Sequence, residues 1–258
     1  MRFSLLLAAL LLAACDGSTS PAPLPLPPLA QSEPASTLPV YGVVGNGPLV
    51  VVLADDMNDT LYDWENTTGL VSDLVGHGFT VLSLDLPCHG ADATPNESPL
   101  ECWSLRIHAG DNDLFLKFCS GLSEVLDHLG IQEAGIAGIS RGGYMAITCA
   151  AYESRFTQIA LLEPVTDLNY LAEFQEYPAP EALFNVQQYI PYLQGRPILL
   201  SIDPHDTRVG TDLAWKFAQE VGAEFQLTDA AESHELLSSQ TEAAASWFNS
   251  ALSTPETP

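Results

Sequence analysis

The chain has 258 residues, 47% of them hydrophobic, enough for one sizeable buried core. Eight Lys and Arg stand against 33 Asp and Glu, for a formal net charge of −25. A surface of that sign repels phosphate backbones, so no nucleic-acid partner is expected, and it keeps the chain dissolved in ordinary or salty water alike.

Met1-Arg2 supplies one positive charge, and residues 3–14 are apolar but too short to span a membrane permanently. This is the layout of a signal peptide over residues 1–14. Its end, Leu12-Ala13-Ala14-Cys15, resembles the lipobox of bacterial lipoproteins. That resemblance implies cleavage before Cys15 and lipid on its sulfur. It also implies a domain held to a membrane on the extracytoplasmic side of a bacterial cell envelope. An ordinary secretory signal cut near the same alanines is the plainer alternative. Residues 15–39 are rich in Pro, Ser and Ala, cannot bury a core, and are expected to form an extended tether. Residues 253–258 are expected to be a disordered tail, which leaves 40–252 for the folded domain.

Within that domain, Pro48-Leu49-Val50-Val51-Val52-Leu53 is a β-branched run expected as a buried parallel strand. Helical spacing from about 60 to 75 follows, stopped by Gly76 and Gly78. Residues 79–84 form the next expected strand. Leu116, Cys119, Leu122, Val125, Leu126 and Leu129 carry helical spacing over 114–129, with Gly130 as the stop. Then come a strand at 134–139, a helix at 142–152 and strands at 158–162 and 198–202. A helix at 211–221, an extended piece at 224–227 and a helix at 241–252 complete the chain. The alternation predicts an α/β fold, a mostly parallel central sheet with helices on both faces. Segments 91–113 and 167–195 interrupt it and are expected to form a lid or binding loops. The second carries Tyr170, Phe174, Tyr177, Phe184, Tyr189 and Tyr192, which either line an apolar pocket or form the insertion's own small core.

Beyond Cys15, four cysteines remain, Cys88, Cys102, Cys119 and Cys149, and an exported compartment permits disulfides. Sequence alone leaves the pairing open. Cys102 and Cys119, flanking one helical segment, are the first expectation. No CxxC or HExxH spacing occurs, so neither metal nor cofactor is expected.

Gly138-Ile139-Ser140-Arg141-Gly142 follows an apolar run and opens into Gly143-Tyr144-Met145-Ala146, the start of a helix. Strand, Gly-x-Ser-x-Gly, helix is the setting of a nucleophile elbow. The serine sits at the tip of a turn too tight for neighbouring side chains, above a helix N-terminus that favours negative charge. A glycine-rich loop with an incidental serine gives the same five letters. A serine nucleophile needs a base and an orienting carboxylate, and in such a sheet both belong past the C-terminal ends of strands. His234, between the last strand and the final helix, is the expected base. Asp206, after the 198–202 strand, is the expected acid, and Asp203 is its close rival. Of the other histidines, His77 and His89 fit turns, His108 an insertion and His128 a helix, while His205 is a fallback base.

The combination resembles an α/β-hydrolase, nearest the prolyl-oligopeptidase and dienelactone-hydrolase-like branch. Asp85-Leu86-Pro87-Cys88-His89-Gly90, Gly138-Ile139-Ser140-Arg141-Gly142-Gly143-Tyr144, Glu163-Pro164-Val165-Thr166-Asp167-Leu168 and the Asp206 loop carry the resemblance. It implies a triad of Ser140, Asp206 and His234, with Asp206-Thr207-Arg208-Val209 matching a recurrent acid loop. It also offers Glu163 as an alternative acid. One departure stands out: relatives often carry His-Gly after the first long strand, whereas this chain reads Ala54-Asp55-Asp56-Met57. Backbone N–H groups of Arg141 and Asp56 would form the oxyanion hole, beside two carboxylates that oppose it unless they are paired or turned away. The expected function is hydrolysis of a small-molecule carboxylic ester. A peptidase or amidase using the same triad, and a non-catalytic binding module on this fold, are the alternatives. Oligomeric state is not legible.

Overall fold

The inner strands of the sheet are the chain's runs of aliphatic and β-branched residues, which bury both faces at once. The computed structural model describes residues 38–62, 69–178, 184–228 and 234–252. The signal peptide, residues 15–37 of the tether and the tail lie outside these residues, while Leu38, at the tether's end, packs against the core. Seven strands run β1 (Tyr41–Gly45), β2 (Leu49–Leu53), β3 (Thr80–Leu84), β4 (Ala134–Ile139), β5 (Phe156–Leu162), β6 (Ile198–Ile202) and β7 (Glu224–Leu227), in spatial order β1-β3-β2-β4-β5-β6-β7. All neighbours are parallel except β1, which pairs antiparallel with β3 from Tyr41↔Leu84 to Gly45↔Thr80.

The helices are α1 (Met57–Tyr62), α2 (Leu70–Gly76), α3 (Pro99–His108), α4 (Leu114–His128), α5 (Arg141–Tyr152), α6 (Ile190–Leu193), α7 (Thr211–Val221) and α8 (Ser238–Leu252). They cover the sheet with two apolar cores. One joins Trp103, Phe115 and Tyr144, whose rings meet edge to face at 4.9 and 5.2 Å. The other sets Phe79 against Phe248 at 6.3 Å, with Leu61 and Leu74. Among the described residues no helix is long and apolar enough to cross a membrane.

Three sequence expectations need correction. The helical stretch at 60–75 is not one helix: α1 ends at Tyr62, residues 63–68 are outside the description, and α2 begins after Gly69 at φ 88°. Segment 91–113 is not loop alone, because α3 lies within it. Ser98 accepts Glu101 N–H and the Glu101 carboxylate accepts Ser98 N–H, a complete capping box. The disulfides are Cys88–Cys102 and Cys119–Cys149, not Cys102–Cys119. Cys119 lies inside α4, on the face shared with Leu122 that packs on α5, so its partner is Cys149. Cys102 lies on the buried face of α3, against the turn after β3 that carries Cys88.

Candidate active site

β4 runs directly into the elbow. Ser140 adopts φ 52°, ψ −119°, a backbone that non-glycine residues avoid, and it caps the N-terminus of α5. A Cβ at Gly142 would collide with the Leu53 carbonyl at the end of β2, and one at Gly143 would lie 2.7 Å from Pro164 Cβ. The turn is also pinned from behind. Ser140 N–H donates to the Leu162 carbonyl at 3.0 Å, and the Ser140 carbonyl accepts Gly143 N–H at 2.9 Å and Val165 N–H at 3.0 Å.

Two loops bring the partners to it. Ser140 Oγ lies 2.9 Å from His234 Nε2, and His234 Nδ1 lies 2.7 Å from Asp206 Oδ2. Asp206 is 4% exposed, while His234 faces an open cleft. The other Asp206 oxygen accepts Arg208 N–H at 2.7 Å and Val209 N–H at 3.2 Å, which fixes the carboxylate plane. With Nδ1–H donating to Asp206, Nε2 is left as the acceptor for the serine proton. Burial pushes the Asp206 carboxyl up. The hydrogen bond and charge of His234, then the neighbouring Glu163 carboxyl and Arg208 N–H, outweigh burial and hold it below the usual carboxylate range.

The other candidate acids have different partners. Asp203 Oδ1 accepts His205 N–H at 2.8 Å, with the exposed His205 ring 3.4 Å away. Glu163 Oε1 accepts Gln240 Nε2–H at 2.7 Å and Asp203 N–H at 2.9 Å. Among the described residues one group could hold a metal ion, Glu163, Asp206 and His234, whose ligand atoms lie within 4.8 Å of one another. Those donors are already engaged by Ser140, backbone N–H groups and Gln240. Three of the remaining histidines have structural partners. His89 Nδ1 lies 2.9 Å from the Pro87 carbonyl, which also accepts Trp103 Nε1–H at 2.6 Å. His77 lies 3.0 Å from Glu242, and His108 stacks on Tyr177 with ring centroids 4.3 Å apart.

The Ala54-Asp55-Asp56 stretch leaves β2 beside Gly142. Asp55 pairs with the Arg141 guanidinium and lies 3.1 Å from His89 Nε2, in an alignment that makes no hydrogen bond. Asp56 turns away, its Oδ1 accepting Asp59 N–H at 2.9 Å in the first turn of α1. Both carboxylates are thus occupied. Burial, then the charge of Arg208, pulls Arg141 down to about 10, so it stays a cation at neutral pH. Sequence reasoning assigned Arg141 only its backbone N–H and missed this side chain. The signal was there: a chain with eight Lys and Arg places one immediately after its elbow serine.

A second cation, Arg208, grips Glu173 with both guanidinium nitrogens at 3.0 and 2.5 Å, tying insertion 167–195 to the acid loop. Tyr170, Ala172 and Gln175 of that insertion face Thr207, Arg208 and His234 across a cleft of about 730 Å³. Phe174 and Phe184, 5.7 Å apart, are buried beneath and join the main core that holds Trp103, Phe115 and Tyr144. Of the six aromatics, Tyr170 is the one that lines this cleft.

A model of the alpha/beta hydrolase family matches residues 59–248. No curated protein sequence matches at a significant level. Solved structures resemble the chain in fold. A Thermus thermophilus protein has a TM-score of 0.60 at 17% identity, over 82% of this chain and 91% of that one. A monoacylglycerol lipase of Paleococcus ferrophilus has 0.58 at 13% identity, over 82% and 98%. An esterase of Pyrococcus furiosus has 0.56 at 17% identity, over 81% of each chain. The match runs from within α1 into α8, taking in five of the seven strands, the Ser140 turn and the loops that carry Asp206 and His234, and by it the chain belongs to the alpha/beta hydrolase family.

Proposed function

We propose that the chain is a serine esterase that cleaves small carboxylic esters through an acyl-enzyme. The carrying observation is the unbroken line Ser140 Oγ, His234, Asp206 at 2.9 and 2.7 Å, with Ser140 on a strained elbow and His234 lining an open cleft. Ser140 Oγ attacks the acyl carbon as His234 Nε2 takes its proton. Asp206 holds the imidazole in the right tautomer and stabilises the imidazolium that forms. His234 then protonates the leaving alcohol, and water, activated by the same imidazole, frees the acid. Backbone N–H groups of Arg141 and Asp56 receive the oxyanion. The engagement of Asp55 by Arg141 and of Asp56 by α1 supports a working oxyanion hole and counts against a purely binding role. The esterase and lipase among the fold's neighbours favour ester over amide chemistry.

The test is hydrolysis of p-nitrophenyl esters of graded chain length beside matched anilides, with Ser140→Ala as control. Ester turnover lost in the variant is expected. Full retention would refute the assignment, and faster anilide turnover would make the protein an amidase. We further propose placement in the prolyl-oligopeptidase and dienelactone-hydrolase-like branch, and attachment to the cell envelope by lipid on Cys15. Detergent-phase partition of the full-length protein, lost with Cys15→Ser, is the expected outcome for the anchor.

A further inference from the structure

Three carboxyl groups crowd the end of β5 and β6. Glu163, Asp203 and Asp206 are 1%, 1% and 4% exposed. Glu163 takes hydrogen bonds from Gln240 Nε2 on α8 at 2.7 Å and from Asp203 N–H at 2.9 and 3.2 Å. One of its carboxyl oxygens lies within 4.8 Å of an Asp206 carboxyl oxygen and of a His234 ring nitrogen. The groups facing it are Asp203 and Asp206 on the acid loop, His234 on the histidine loop, Gln240 on α8 and Ser201 on β6. Among the described residues no Lys or Arg side chain pairs with it. Two adjacent buried carboxylates cannot both ionise without a cation between them. Asp206 has His234 and two backbone N–H donors for its charge, so it is the one that ionises. Glu163 also sits at φ 46°, a conformation that persists only where surroundings over-determine it.

Resting on the esterase reading above, we infer that Glu163 is a positioning residue: it keeps its proton at neutral pH and donates it to the Asp206 carboxylate, holding Asp206 square to His234. The electrostatics of the site point the same way. Burial, which the hydrogen bond from Gln240 opposes and the hydrogen bond and charge of Asp206 reinforce, pushes Glu163 up to about 8. The proton on Glu163 restrains Asp206 without adding a second negative charge beside the imidazole. Above that value Glu163 ionises, the donor is lost, and Asp206 is repelled from its seat.

The experiment compares wild type, Glu163→Ala and Glu163→Gln in two readouts. In p-nitrophenyl acetate hydrolysis, Glu163→Ala is expected to lower kcat about 10–100-fold, the size of losing one hydrogen bond to a charged group. Glu163→Gln keeps a donor toward Asp206 and is expected to recover most of that loss. The wild-type profile is expected to fall through an ionisation near 8, and the glutamine variant to lack that limb. Equal impairment of the two variants, or persistence of the limb in Glu163→Gln, would overturn the inference. The second readout needs no turnover. Infrared difference spectra of folded wild type and Glu163→Gln at neutral pH should show a protonated-carboxyl stretch in the wild type that the variant lacks. Its absence from the wild type would overturn the inference even if no ester is ever hydrolysed. Its presence without hydrolysis would uphold the proton and fault only the esterase reading.

Discussion

At Ser140, the proposed chemistry and the backbone strain are one arrangement. A serine at φ 52° costs about 1–3 kcal/mol, and it persists because β2, β5 and Pro164 close around it. A methyl group at Gly142 has only the β2 backbone to displace. Gly142→Ala is therefore expected to destabilise the fold by about 1–3 kcal/mol in urea and to lower ester turnover by shifting the elbow. Arg141 makes a separate prediction. Arg141→Met leaves the Asp55 carboxylate unpaired beside the oxyanion and should reduce kcat. Adding Asp55→Asn to it should restore part of the loss, giving a coupling of about 0.5–3 kcal/mol in a double-mutant cycle. The positions of Ser140, Asp206 and His234 were legible because strand order says where a base and an acid for the proposed triad must lie, and Asp206, not Asp203 or Glu163, is the carboxyl hydrogen-bonded to His234. The Asp55–Arg141 pair was not legible. It joins residues 86 apart in sequence, and neither local pattern points at the other.

At the scale of elements, two covalent ties hold the layer that carries the site. Cys119–Cys149 staples α4 to α5, the helix behind the serine, across a separation of 30 residues. Closing a loop of that length removes enough freedom from the unfolded chain for about 3–4 kcal/mol. Cys119→Ser with Cys149→Ser should lower unfolding free energy by about that amount. Turnover well below the new melting point should be preserved, because neither cysteine touches the triad. Strands 134–139 and 198–202 and helix 211–221 were read from sequence with their observed ends, since each is a dense apolar or amphipathic run. β1 escaped notice because Tyr41–Gly45 is half-exposed, carries two glycines and pairs antiparallel at the sheet edge. α3 could have been found: Ser98-Pro99-Leu100-Glu101 spells a capping box with proline at the first helical turn. The disulfides were beyond sequence because their pairing depends on which face of α4 meets α5.

Over the whole molecule, a net charge of −25 makes self-repulsion a standing cost of the compact state. Raising ionic strength from about 0.01 to 0.1 M shortens the screening length from about 30 to 10 Å, so melting temperature should rise over that range by calorimetry. The pH response has two signs. Burial pushes Glu153 up, but hydrogen bonds from Arg155 and Ser123 outweigh it and hold the carboxyl at about 2, so its stabilising share is present above 4.5 and lost as pH falls toward 2. Glu163 does the reverse. Raised to about 8, it contributes stability below 4.5 that is lost as pH rises through 8. Glu163→Gln should flatten that alkaline limb in denaturant titrations across pH while leaving the acid limb in place.

The central claim, that this fold is held so that Ser140 can act as a nucleophile, is tested most directly by a fluorophosphonate probe on the folded protein, with the adduct located by peptide mass spectrometry. The expected result is one adduct, on Ser140, lost in Ser140→Ala and strongly slowed in His234→Ala. An unlabelled Ser140 in folded protein, or labelling that does not depend on His234, would contradict it.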